Sequence, residues 1–188
     1  MKKTCILFFS LLCLAGSISL FAGKPVTVKS GDLSVLKKSS TAFFEIDFSA
    51  TKVGTQPIDE YLKGRGDDFV RDWPQDKVIA ANYFYAQFNG CNKKGMQITP
   101  DDRGVDYKMV IHVKTLDMGN PAGIFVPFAP ANAGGVIIDG TVDIIDMNTN
   151  AVVCTLNIDG VKGDGYPSES IRLGLAFSEL ASCMCKLK

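Results

Sequence analysis

The chain has 188 residues, 46% of them hydrophobic, with 20 basic residues against 20 acidic ones and a single histidine. That balance argues against a nucleic-acid partner, which calls for a basic face. One histidine excludes a His pair on zinc, and any relay through imidazole has only His112 to use.

Met1, Lys2, Lys3 and Thr4 precede an apolar run from Cys5 to Leu14, the layout of a secretory signal peptide. Gly16, Ser17 and Ser19 keep the run short of the roughly 18 to 20 residues that a spanning helix needs, and Ala22 suits cleavage. The expected product starts at Gly23 and holds 166 residues, enough for one domain. It carries 18 basic and 20 acidic residues, a net of about −2. A lipoprotein signal needs a small residue before its cysteine, whereas Leu12 precedes Cys13, so a lipid anchor is not expected. The expected location is periplasmic or secreted.

Residues 23–40 read as a weakly ordered arm or an edge strand, and residues 41–188 as one α/β domain. From Thr41 to Ser49, Ala42, Phe44, Ile46 and Phe48 alternate with Glu45 and Asp47, the period of a half-buried strand. Gly64, Gly66 and Pro74 divide the helical stretch that follows into a short turn around Ile58 to Lys63 and a helix from Pro74 to Phe88. Asn89 and Gly90 supply its stop. Gly95 to Thr99 is a short strand, and Tyr107 to Leu116 a longer one with Lys108, His112 and Lys114 on its polar side. Val136 to Asp146 and Ala151 to Asp159 make a hairpin around Asn148 and Asn150. A glycine-rich connection leads to a last helix that opens at Ser168 and Glu169. The order β-α-β-β-β-β-α predicts an α+β fold, a mainly antiparallel sheet of about five strands with two helices on one face.

Four cysteines follow the signal, Cys91, Cys154, Cys183 and Cys185, which an exported chain can oxidise in three pairings or keep as buried thiols. Asp146, Asn148 and Asn150 match the first ligands of a calcium loop, but Ala151 and Asn157 stand where glycine and glutamate belong. Residues 159–165 lack the Gly-Lys-Ser/Thr ending of a phosphate loop and read as a linker. No catalytic, metal or cofactor set emerges, and no cofactor is expected. Asp139, Thr141 and Asp143 share the face opposite Ile138, Val142 and Ile144, and with Glu45 and Asp47 they outline an acidic patch. Such carboxylates, or His112, would serve the alternative function, a small hydrolase or carbohydrate-associated enzyme.

The segment Met118 to Gly135 is long for a loop, and Ile124, Phe125, Val126 and Phe128 stand in it between Gly/Pro/Ala-rich flanks. Exposed, that cluster would contact a partner or a membrane surface. Otherwise it would fold back over the uncovered sheet face or form part of an extended hairpin.

Asp106 to Asn120, Gly140 to Asn150, Val152 to Gly160 and the final helix together resemble a group of uncharacterised bacterial envelope domains. Their architecture is similar to the amino-terminal domain of TolB and the periplasmic domain of the curli secretion lipoprotein. The resemblance spans residues 40–185. It implies a sheet with two helices on one side and a role in envelope assembly, secretion or protein contact, without a known active site, and it transfers no functional residue. The apolar segment and the missing catalytic set predict a non-enzymatic binding module whose partner is another envelope protein.

Overall fold

The computed structural model describes residues 23–119 and 134–187. Strand β1 (Val26–Gly31) leads to a 3-10 turn, Leu33–Lys37, which starts where Asp32 accepts from the Ser34 amide at 2.8 Å. After β2 (Thr41–Asp47) come two short strands, β3 (Lys52–Val53) and β4 (Gln56–Pro57), and then helices α1 (Ile58–Arg65) and α2 (Asp67–Cys91). Next are β5 (Gln97–Thr99), β6 (Tyr107–Asp117), β7 (Ile137–Asp146), β8 (Ala151–Lys162) and α3 (Glu169–Cys185).

The expected mainly antiparallel sheet of about five strands with two helices on one face is wrong, although the fold is α+β. Among the described residues the sheet is mixed and has eight strands, in the order β1-β8-β7-β6-β2-β5 with β3 also on β6 and β4 on β3, and three α-helices accompany it. β2 runs parallel to both β5 and β6, and β3 parallel to β6. The cause is the helical stretch between β2 and β5. It carries the chain back to the starting end of the sheet, and a parallel pairing requires such a crossover. The alternation of β2 reports one buried face and says nothing about strand direction.

Pro74 lies inside α2 rather than at its start. Its missing N–H removes one helical bond at an exposed position. The turns before it are held by Trp73, which is buried with its ring 5.3 Å from that of Phe48. The expected linker at residues 159–165 is partly strand, because β8 continues to Lys162 and pairs it with Ile137.

The core lies between one face of the sheet and the pair α2 and α3. Ala42, Met109, Ile111, Val142, Ile144 and Leu156 are fully buried on that face. Phe84 sits between Phe44 and Phe88, 5.7 Å from each ring, and Phe177 lies 5.9 Å from Phe48. A Cys91–Cys185 disulfide joins the ends of α2 and α3 and leaves Cys154 and Cys183 as thiols, so one bond forms and none of the three full pairings is completed. Gly140 is needed where β6 and β7 come close, since a Cβ there would stand 2.1 Å from the His112 carbonyl oxygen.

Candidate functional site

Strand periodicity sends every second side chain of β2, β6, β7 and β8 away from the helices. The register sets Asp47 beside His112, His112 beside Thr141, and Thr141 beside Asn157; in the next row stand Glu45, Val110, Asp143 and Thr155. Val110 and Thr141 are buried, while the side chains of Glu45, Asp47, Lys108, His112 and Asp143 remain 26% to 42% exposed. The result is a polar, half-exposed face in which most charged groups already have a partner.

His112 is the centre of this face. Its Nδ1 lies 3.1 Å from Asp47 Oδ2, and its Nε2 lies 3.5 Å from Asp143 Oδ2. Asp143 is oriented by its other oxygen, which accepts from the Thr155 hydroxyl at 2.7 Å. The Ser49 hydroxyl and amide, followed by His112, hold the Asp47 carboxyl below the usual carboxylate range, so Asp47 stays anionic. Lys108 pairs with Glu45 at 2.8 Å and rests over the Phe43 ring.

Glu45, Asp47 and Asp143 of the expected acidic patch therefore come together around His112 and Lys108. Asp139 does not join them. It accepts from the Thr115 hydroxyl and the Gly160 amide, both at 2.7 Å, and four residues of strand set its Cα about 13 Å from that of Asp143. Asp146 accepts from the amides of Asn148 and Thr149, a turn bracket that depresses its pKa and matches the reading of a hairpin rather than a calcium loop. Ile124, Phe125, Val126 and Phe128 lie outside the described residues.

Two features had no signal in the sequence. Arg172 on α3 is buried, donates to the carbonyls of Tyr166, Pro167 and Met118, and leaves its Nε without a partner. It thereby ties the end of β6 to the segment before α3. Asp68, Asp72, Asp76 and Glu169 surround a shallow hollow between α2 and α3. Burial, followed by Glu169 and Asp72, raises the Asp76 pKa against a Ser170 hydrogen bond that lowers it. Among the described residues there is no group of three or more potential metal-ligating side chains, and no helix is long and apolar enough to cross a membrane.

Neither a family model nor a curated protein matches the chain. Among solved structures, it is similar to a PelC dodecamer from Paraburkholderia phytofirmans, at 15% identity over 87% of this chain and 98% of that chain, with a TM-score of 0.48. A variant of that dodecamer gives 13% identity over 85% and 97%, with a TM-score of 0.43. Protein XCC0632 from Xanthomonas campestris gives 11% identity over 83% and 87%, with a TM-score of 0.33. TolB and the curli secretion domain are not among these three, and the resemblance read from the sequence stands only as a coarse one.

Proposed function

We propose that the chain is an exported envelope protein that acts by binding another envelope protein, and that the face of its sheet turned away from α2 and α3 is the contact surface. Export rests on the signal-like residues 1–22. The contact surface rests on one observation, the network Asp47, His112, Asp143 and Thr155, which spans four strands on a half-exposed face. Side chains fixed in this way lose little freedom when a partner arrives, which favours binding. The apolar residues Ile124, Phe125, Val126 and Phe128 form a second contact element in this reading.

A hydrolytic role is the weaker reading. Asp139 and Asp143 stand too far apart to act as one acid and base pair, and no serine or cysteine bonds His112 among the described residues.

A photo-crosslinking residue placed at Glu45 should trap a partner in intact cells, while one at Tyr83, exposed on α2, should not. The opposite pattern refutes the sheet-face reading. Phe125→Ser with Phe128→Ser should weaken the same adduct, and an unchanged yield removes that segment from the proposal.

A further inference from the structure

α2 and α3 lie side by side and run in the same direction. Asp72, Asp76 and Glu169 share a hollow near their starts, Gln87 donates to the Ser182 hydroxyl at 2.9 Å, and Cys91 is bonded to Cys185 at their ends. Charge is sorted along this pair. The acids gather toward the starts, with Asp67, Asp68, Asp72 and Asp76 on α2 and Glu169 on α3. From Lys77 to Pro100 the chain has no acidic residue, and after Glu169 it has only Glu179.

Basic residues collect at the other end, from four separate parts of the chain. Lys24 precedes β1, Lys37 and Lys38 close the 3-10 turn, Lys93 and Lys94 follow α2, and Lys186 follows α3. The Met96 amide and the Asn92 side chain both donate to the Leu36 carbonyl at 3.0 Å, which holds the Lys93 turn beside the 3-10 turn. All six lysines are exposed. Two acids stand near them, Asp32 close to Lys37 and Lys38, and Glu179 at 3.9 Å from Lys186. Lysines also offset the negative ends of two parallel helices, but Lys24 and Lys37 belong to neither helix.

Between these lysines the surface is apolar. Leu33, Leu36, Phe88, Met184 and Leu187 line one hollow together with Lys37. Pro25, Val26, Cys183 and Leu187 line a second, with Lys24 and Lys186. Leu187 belongs to both, so the two hollows adjoin. Cations around apolar concavities match a surface that is anionic outside and apolar beneath, the make-up of a bilayer with acidic phospholipids. The chain also enters the domain here. Ten residues lead from Leu14, the last of the apolar run, to Lys24, a span of at most about 35 Å. While that run is held in a membrane, this end is the one kept beside it.

We propose that the end of the domain where α2 and α3 finish rests on an anionic phospholipid surface, with Leu187 and its neighbours at the acyl boundary and the six lysines on the headgroups. A chain with 20 basic and 20 acidic residues can do this because its charges are segregated. The sheet face takes no part, so the proposal stands or falls apart from the contact-surface reading.

The test is flotation of the exported protein, purified with its disulfide and without residues 1–22, on vesicles of phosphatidylglycerol and phosphatidylcholine in equal parts. At about 50 mM salt it should float with these vesicles and not with pure phosphatidylcholine, and about 0.5 M salt should release it. One lysine near an anionic surface is worth about fivefold in partitioning, so Lys24→Gln, Lys37→Gln and Lys186→Gln together should weaken binding on the order of 100-fold. Lys52→Gln, Lys63→Gln and Lys77→Gln remove the same charge from β3, α1 and the first half of α2, and this triple variant should bind as the parent does. Leu187→Trp should add a fluorescence that lipids brominated on their chains quench, while that of the buried Trp73 persists. Unchanged melting temperatures show that the variants are folded.

No flotation on the anionic vesicles, or equal flotation on neutral ones, overturns the proposal. Equal weakening in the two lysine sets also overturns it, since net charge alone then acts. So does displacement by inorganic phosphate beyond that by chloride at the same ionic strength, because a discrete anion site then takes the place of the lipid surface.

Discussion

Removal of the Cys91–Cys185 disulfide should have a large effect, and the chain itself sets its size. The two cysteines are 94 residues apart. Opening a loop of that length returns about 16 cal/mol/K of entropy to the unfolded chain, or about 4.7 kcal/mol at 25 °C. The measured loss should fall between about 2 and 4.7 kcal/mol, because a compact unfolded state recovers less freedom. Trp73, the one tryptophan, is buried against Phe48 and reports unfolding by fluorescence. Urea titrations of the oxidised protein and of the Cys91→Ser, Cys185→Ser double variant give the difference directly. Burial raises the Cys154 thiol, and burial followed by Glu179 pushes the Cys183 thiol up to about 11, so neither should alkylate readily until urea unfolds the chain. A stability difference below about 1 kcal/mol, or a peptide map joining Cys154 or Cys183 to Cys91 or Cys185, refutes the assigned pairing and its role in holding α2 to α3.

Phe84→Ala should cost about 3–5 kcal/mol in the same titration, since a fully buried ring between Phe44 and Phe88 is removed; a loss below about 1 kcal/mol would place Phe84 outside the core. For Asp76 the folded-state pKa lies above the unfolded one, so its charged form opposes folding, fully above the folded value and not at all below the unfolded one. Asp76→Asn should therefore raise the melting temperature at pH 7 and give no gain at pH 3, and a lower melting temperature at pH 7 would show that the Ser170 bond outweighs burial.

The parts of the fold legible in the sequence are those governed by neighbours along the chain. The alternation of Phe44, Ile46 and Phe48 against Glu45 and Asp47 gives β2 and its polar side, and Asn148 and Asn150 give the hairpin that Asp146 brackets. Ser168 and Glu169 mark the start of α3. Pro74 misled, because its helix-breaking tendency is local while the packing of Trp73 that offsets it comes from β2's end. Arg172 was invisible for a related reason. A basic residue on an apolar helix reads as solvent-facing, and only the folded chain brings the carbonyls of Met118, Tyr166 and Pro167 to its guanidinium.

The wrong sheet topology and the undervalued His112 have one cause. On β6 alone, His112 is an isolated polar residue between Ile111 and Val113, and an exposed histidine on a strand is ordinarily inert. Its partners come from 65 residues before it and 31 after it, on β2 and β7. The β7 partner follows from the antiparallel pairing that the sequence implies. The β2 partner does not, because Asp47 reaches Nδ1 only when β2 is parallel to β6 with Asp47 level with His112. The helices between β2 and β5 impose that direction, and a slip of one residue in β2 would turn Asp47 toward the core and Ile46 toward the imidazole. The apolar face of β2 therefore guards the register of its polar face: burying Phe44 against Phe84 is also what holds Asp47 against His112.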